Sequence, residues 1–462
     1  MAILKVKKKE KLADIETPVS AYLKLCRGER DSFLLESVET KDITGRYSIV
    51  AYDPLFFMEL DEDKVFSSGR DIEKTSPASE FFNLMRENLN SLACEAVPGM
   101  PSVGSLMGFI GYDAVRLIER LPVVHESAMP VARLSFPSRF VLFDQMRRVM
   151  ILLAIDEDEA ACDKKIAEME EILHSPLIVE ERTAAVKLIS PPKERYCEAV
   201  RKAKQYILDG DIFQVVLSDV FEGESDLDPF EVYRRLRVRS PSPYMFFLDF
   251  GDYRLVGASP ETLVKVNGGT VTINPIAGTR GRSSDPKIDR ELEKEMLESE
   301  KESAEHLMLV DLARNDVGRV SRYGTVVVDP FRSVERYSHV MHIVSQVHGR
   351  LRLDTDSIDA FMAGFPAGTV SGAPKVRAME IIDELESSAR GPYAGAVGYF
   401  GPNNVMDTCI AIRIILFEKE RFTIRVGAGI VADSVPELEY EEIQNKAAQS
   451  IYALQAAARR ES

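Results

Sequence analysis

Thiols are scarce in this 462-residue chain, and the five it has are scattered. Cys26, Cys94, Cys162, Cys197 and Cys409 are odd in number and never spaced as a metal-binding pair, which argues against a disulfide framework or a thiolate metal site. Reduced cysteines of a cytoplasmic protein are expected. None stands in a Gly-x-Cys-x-Gly nucleophile elbow, and the length leaves no room for a fused amidotransferase domain, so no cysteine glutaminase is expected here. Long apolar runs are lacking as well. The longest candidate, Val149 to Ile155, falls far short of the roughly 20 residues a spanning helix requires. The start, Met1-Ala-Ile-Leu-Lys-Val-Lys-Lys-Lys9, has charge where a signal peptide needs apolar residues. Positive charge is in deficit overall: Lys and Arg number 58 against 74 Asp and Glu, a formal net charge of -16. That balance argues against nucleic acid or an anionic membrane as partner. An anionic substrate would need positive groups gathered locally against the overall field.

The apolar share of 45% is ordinary for a globular protein and affords a sizeable core. Length suggests two or three domains. Residues 1–155 read as a smaller β-rich domain, with short strands at Ser32 to Ser37, Tyr47 to Tyr52 and Arg139 to Asp144. Residues 156–193 hold an acidic helix and a connector marked by Ser190-Pro191-Pro192; residues 194–462 form the second domain. There, Tyr196, Val200, Ala203 and Ile207 recur at helical spacing before the stop Asp209-Gly210. A strand follows in which Gln214 lies between apolar neighbours. Further strands are expected near 254–257, 270–273, 326–328, 411–417 and 422–426, with long helices from Asp289 to about Leu312 and from Pro436 to about Ala457. Mixed order of this kind points to an α+β fold rather than regular βαβ units.

Two of these helices carry paired acids. Glu302 and Glu305 are three residues apart, as are Glu439 and Glu442, so each pair projects from one helix face. Lys446 stands one turn beyond the second pair, and Ile443, Ala447, Ile451 and Leu454 flank that stripe. Four carboxylates without histidine or cysteine favour a hard cation, Mg²⁺ before Zn²⁺. The same spacing also suits a solvated acidic face, so spacing alone leaves both readings open.

Glycine clusters supply a second signal. Gly364-Phe-Pro-Ala-Gly-Thr-Val-Ser-Gly-Ala-Pro-Lys375 fails as a phosphate loop: its lysine follows proline, and Val376 replaces the magnesium-binding hydroxyl residue. Its amides precede a helix from Lys375 to Leu385, where they suit an anion. Asn274 to Arg282 and Val426 to Ile430 have similar means. Each segment alone fits a tight turn equally well. Together with Arg413 and Lys446 they suggest a pocket for a small, carboxylate-rich molecule.

Taken in order, Gly257-Ala-Ser-Pro-Glu261, Pro275-Ile-Ala-Gly-Thr279, Glu305-His-Leu-Met-Leu-Val-Asp-Leu-Ala-Arg-Asn-Asp316, His339-Val-Met-His342, Phe365 to Lys375, Tyr393-Ala-Gly-Ala-Val-Gly-Tyr399 and Gly427-Ala-Gly429 resemble the chorismate-binding enzyme family. The resemblance covers about residues 195 to 457. It implies an α+β fold whose β-sandwich core of mixed or antiparallel sheets is wrapped by helices. It also implies a Mg²⁺ on the ring carboxylate of chorismate, with Glu302, Glu305, Glu439 and Glu442 as ligands, some through water. Tyr393, Arg413, Gly429 and Lys446 match positions that hold the enolpyruvyl carboxylate; Gly278, Thr279 and Gly427 match substrate-binding positions, and Thr369 one near the ring carboxylate.

Particular positions then point to a branch. Members that add water, the isochorismate and salicylate synthases, place a lysine base where this chain has Gln214. Glutamine cannot take a proton from water, whereas ammonia is already a nucleophile. Aminodeoxychorismate synthases, the next alternative, often carry lysine where this chain has Ala277, and they do not eliminate pyruvate, for which His342 is the matched residue. By resemblance the chain belongs with the anthranilate-forming members. Ammonia attacks ring carbon 2, the carbon 4 hydroxyl leaves with a proton from Glu261, and pyruvate is lost with help from His342. Ammonia is expected from a separate glutamine amidotransferase subunit. Leu34-Leu-Glu-Ser37 resembles a tryptophan-sensing string, so L-tryptophan is expected as an inhibitor held by Glu36, Ser37, Pro243, Tyr244, Met245 and Cys409.

Overall fold

The computed structural model describes residues 4–459 apart from 38–45, 70–71, 93, 95–96, 98, 101–102, 128, 179–183 and 337–339. Its contacts divide the chain into two compact units: Met1–Pro260 with Val370–Pro402 and Ile410–Ser462, and Glu261–Thr369 with Asn403–Cys409. Every named strand ladder is antiparallel among the described residues. Helices and strands are interspersed along the chain, but the named ladders are antiparallel rather than built from parallel βαβ units, so the fold is α+β, as expected from the sequence.

In the larger unit the apolar run Val149–Asp156 is buried at every position, which is why it lies inside a sheet. It is flanked by Ala132–Asp144 and by Lys5–Leu12. The lysine-rich opening is therefore a strand. Lys7, Lys9 and Lys11 alternate onto one face and meet Glu159 and Glu170 of the helix Glu159–His174. From Ala132–Asp144 the pairing continues through Tyr47–Leu60, Ser32–Glu36, Tyr244–Asp249, Tyr253–Ser259, Ile414–Glu418 and Arg421–Ile430 to Gln214–Ser225. A single apolar cluster takes in Val50, Val141 and Leu152 from the first third together with Tyr196, Val200, Leu217, Ala428, Ile443 and Leu454. The helix Pro436–Ala458 buries Ile443, Ala447, Ala453 and Leu454 in it, which leaves Glu439, Glu442 and Lys446 on the less buried side.

In the smaller unit Thr262–Asn267 and Thr270–Ile273 form a hairpin closed by Gly268-Gly269, both at positive φ, as a two-residue turn needs. A three-stranded sheet of Ile276–Gly281, Val340–Val344 and Ser333–Arg336 packs against helices. The helix expected from Asp289 to about Leu312 is broken. Pro286–Glu298 and Glu300–Val320 meet at Ser299, whose extended backbone ends one helix while its hydroxyl accepts from Glu302 N at 3.3 Å to cap the next. No helix among the described residues is long and apolar enough to cross a membrane.

Candidate active site

On the larger unit, the ladder between Gln214–Ser225 and Arg421–Ile430 sets Ser218 opposite Gly427 and Val216 opposite Gly429. A Cβ on Gly427 would stand 2.8 Å from both the Leu217 carbonyl and the Tyr393 hydroxyl; one on Gly429 would stand 2.8 Å from Gln214 Nε2. Only glycine lets these groups approach the backbone. Lys446 Nζ donates to the Gly427 carbonyl at 2.9 Å and pairs with Glu442 at 2.7 Å. Tyr393 is buried, and burial pushes its phenol up to about 12, so it stays a neutral hydroxyl at physiological pH. Burial, and then the charges of Glu439, Tyr393 and Glu442, raise the Tyr196 phenol as well; its hydroxyl donates to the Leu217 carbonyl at 3.2 Å. Gln214 is buried, and its Oε1 has no hydrogen-bond partner among the described residues. Arg413 precedes the strand Ile414–Glu418 at φ 53 and accepts from Ala258 N at 3.3 Å through its carbonyl. The unit thus gathers Gln214, Tyr393, Gly427, Gly429 and Lys446 with its partner Glu442: a glycine floor with an ammonium, the carboxylate paired to it and two neutral polar side chains around it. Such a surface suits a carboxylate.

The smaller unit carries the groups fit for proton transfer. The Thr369 hydroxyl donates to Glu261 Oε1 at 2.8 Å. On the three-stranded sheet Thr279 faces His342, and the ladder slips at Gly278, whose φ of 65 marks a bulge. His342 is buried; its Nδ1 lies 3.1 Å from the Gly278 carbonyl and 3.0 Å from the Thr279 hydroxyl. A carbonyl only accepts, so Nδ1 carries the proton in the neutral ring and Nε2 is the basic nitrogen. Glu302 reaches the same bulge: a Cβ on Gly278 would stand 3.2 Å from its Oε2, while its Oε1 takes Arg280 Nη1 at 3.1 Å. His306, next to Glu305, is a different kind of histidine. Burial and then Arg332 depress it to about 4, and its Nε2 lies 2.6 Å from the Ser345 hydroxyl, so it is a neutral packing residue. His339 lies outside the described residues.

For a metal, the larger unit offers Glu439 and Glu442 and the smaller Glu302 and Glu305, each pair one turn apart on its helix. All-oxygen donors of this kind fit a hard divalent cation. Among the described residues no group of three or more His, Cys, Asp or Glu side chains is gathered closely enough to hold an ion.

The family model of the chorismate binding enzymes matches residues 33–452. The chain belongs to the chorismate-binding enzymes. Among curated proteins it is 43% identical to anthranilate synthase component 1 of Acetivibrio thermocellus, over 97% of this chain and 94% of that one. It is also 43% identical to the Thermus thermophilus protein of that name, over 96% and 97%. Among solved structures, anthranilate synthase component I from Streptococcus pneumoniae superposes with a TM-score of 0.79 at 35% identity, over 97% of this chain and 99% of that one. A menaquinone-specific isochorismate synthase from Escherichia coli reaches a TM-score of 0.73 at 18% identity, over 98% and 96%. The fold is therefore shared with a protein named for a different reaction.

In this chorismate-binding enzyme Glu36 and Met245 are neighbours, facing each other across the ladder between Ser32–Glu36 and Tyr244–Asp249. Pro243 precedes that second strand and Tyr244 opens it, both half-buried, and Ser37 follows the first, also half-buried. Glu36 is already engaged: Arg237 donates to its two oxygens at 2.7 and 3.0 Å, and the Tyr233 hydroxyl donates at 2.6 Å. Cys409 is buried in the smaller unit opposite Thr262. Arg237, Arg280 as the partner of Glu302, and Arg390, which lies over the Tyr393 ring at 5.6 Å, are not among the residues expected from the sequence. The last two had a signal available, since each sits inside or beside a string already in view.

Proposed function

We propose that this chain is the chorismate-using subunit of an anthranilate synthase, converting chorismate and ammonia to anthranilate and pyruvate. The observation that carries this reading is the likeness, at 42–43% identity across nearly the whole chain, to proteins named anthranilate synthase component 1. Gln214 and Ala277, where water-adding and aminodeoxychorismate-forming members differ, agree with it. Lys446, Tyr393 and the open backbone at Gly427 and Gly429 bind the enolpyruvyl carboxylate, joined by Arg413. Ammonia forms the carbon–nitrogen bond at ring carbon 2 as the ring double bonds shift and the carbon 4–oxygen bond breaks. Glu261, oriented by Thr369, gives the departing hydroxyl its proton, so that water leaves. The excess proton on nitrogen passes to solvent. His342 Nε2 then takes the proton from carbon 2, the bond from ring carbon 3 to the enolpyruvyl oxygen breaks, and the departing enolate gains a proton at its methylene carbon to become pyruvate, leaving an aromatic ring. The pull of aromaticity makes this last step the thermodynamic sink.

Glu302, Glu305, Glu439 and Glu442 are the residues that would hold Mg²⁺, which when bound offsets the ring carboxylate's charge. A partner component of glutamine amidotransferase type supplies ammonia in this reading, and free ammonium substitutes for it at alkaline pH. L-Tryptophan is the proposed inhibitor, with Glu36 and Ser37 as its amino-acid contacts. The chain contains no tryptophan of its own, so indole fluorescence in a binding titration reports on the ligand alone. The reading is tested with purified chain, chorismate, ammonium and Mg²⁺: blue-fluorescent anthranilate and pyruvate should form in equal amounts. An aminated or hydroxylated ring without pyruvate would refute it.

A further inference from the structure

Behind the glycine floor of the larger unit lies a cluster of buried charges that no step above uses. Glu386, just past the helix Lys375–Leu385, is 7% exposed, Arg390 4% and Arg425 7%. Arg390 Nε and Nη2 grip Glu386 at 3.0 and 2.6 Å; its Nη1 donates to the Val370 carbonyl at 2.6 Å and its Nη2 also to the Val216 carbonyl at 2.8 Å. Glu386 further accepts from Arg425 Nη1 at 2.9 Å, Ser218 N at 2.7 Å and Ser218 Oγ at 2.8 Å. The guanidinium of Arg390 lies between two rings, 4.6 Å from Tyr112 and 5.6 Å from Tyr393.

The register gives the cluster its meaning. The two residues of Gln214–Ser225 that it grips, Val216 and Ser218, are those paired with Gly429 and Gly427. At both positions backbone groups turn away from the partner strand, Ser218 N toward Glu386 and the Val216 carbonyl toward Arg390. In an antiparallel ladder the groups of the residue opposite then turn outward too. The Gly427 carbonyl does so, and meets Lys446. Arg425 stands two residues before Gly427 on the second strand, so the cluster holds both strands, while Arg390 also supports the ring of Tyr393, whose hydroxyl crowds Gly427.

We propose that Arg390, clamped by Glu386, is the positioning residue of the substrate-carboxylate cradle: it fixes where the Gly427 and Gly429 backbone and the Tyr393 hydroxyl stand. The inference rests on the proposed function and deepens it. Only a planar fork reaches a carboxylate and two carbonyls at once, so lysine is not an equivalent. Because the cradle holds a carboxylate remote from the carbon–nitrogen bond being made, disturbing it removes binding common to ground and transition states.

The test uses the full chain with chorismate and ammonium, comparing Arg390→Lys with Ser218→Ala and with Arg133→Lys. Arg133 is a comparably buried arginine gripping Asp31 elsewhere in the larger unit and serves as control. Arg390→Lys should raise KM for chorismate by about tenfold or more with kcat within about threefold of the parent. Ser218→Ala, which deletes one hydroxyl and spares the fold, should raise KM by roughly threefold; Arg133→Lys should leave KM unchanged. Equal KM values across the series, or a fall in kcat that follows the folded fraction alone, would overturn the inference. Should Arg390→Lys not fold, Ser218→Ala decides the matter. A parent chain that makes no anthranilate would sink the proposed function instead, and the positioning claim would then be read from chorismate affinity by calorimetry across the same variants.

Discussion

Lys446 Nζ lies 2.9 Å from the carbonyl oxygen of Gly427, joining the long C-terminal helix to the strand that carries both floor glycines. Its side chain is 46% exposed, so the contact contributes little to folding and much to the local charge seen by an anion. In the proposed function this ammonium is the local positive group that a chain of net charge -16 would need for a carboxylate substrate.

Replacing that ammonium isolates its contribution. Lys446→Met should raise KM for chorismate by roughly 10- to 100-fold, the size of a lost charge-assisted hydrogen bond, with an unchanged circular dichroism spectrum. Steady-state kinetics at saturating ammonium check it; an unaltered KM would remove Lys446 from the site.

Glu261 and Thr369 should separate acid from support. Glu261→Gln keeps shape and hydrogen bonding but has no proton to give, and kcat should fall by roughly 10²- to 10⁴-fold while chorismate still binds. Thr369→Val removes only the hydroxyl that orients Glu261, and a loss of about tenfold is expected. Calorimetry beside single-turnover kinetics would show the split between binding and chemistry.

His342→Asn should uncouple the two halves of the reaction. Chorismate consumption continues, whereas anthranilate and pyruvate release fall by about 10²-fold, the usual worth of a positioned base. Chromatography of the reaction should then reveal an aminated ring still bearing its enolpyruvyl group. Parallel loss of both halves would place His342 in the first step instead.

Much of this arrangement is legible in the amino-acid sequence. The helix from Lys375 to Leu385, the acids three apart and the buried stripe of Ile443, Ala447 and Leu454 follow from local spacing, because one helix fixes its own geometry. The break at Ser299 was also within reach: Ser299 with Glu302 is a serine-x-x-glutamate start signal, and the structure uses it. The strand Lys5–Leu12 was hidden because lysine and glutamate are poor strand formers, and only the opposing acids of a helix more than a hundred residues on make that face favourable. Glu386 with Arg425, and Glu36 with Arg237, could not be seen at all. Those partners are 39 and 201 residues apart, and no periodicity links them.

The Glu386 cluster also predicts an acid response. Burial alone would raise its carboxyl, but Arg390, then Arg425 and Ser218, hold it below the usual carboxylate range. A depressed carboxyl stabilises the fold fully above its unfolded value, near pH 4.3, and that contribution is lost as pH falls through the folded value. Urea unfolding should show the parent losing stability below about pH 4. Glu386→Gln should be less stable at pH 7 by about 3–5 kcal/mol, having left two arginines buried without their carboxylate, and less sensitive to acid. Equal stability of the two proteins at pH 7 would contradict this account of the cluster.

The central claim, amination at the ring carbon beside the carboxyl group followed by loss of pyruvate, is tested most directly by supplying ¹⁵N-ammonium with chorismate and solving the product by NMR and mass spectrometry. The account predicts 2-aminobenzoate with the label on the amino nitrogen next to the carboxyl-bearing carbon. Label at the opposite ring carbon, or a hydroxylated product carrying none, would contradict it.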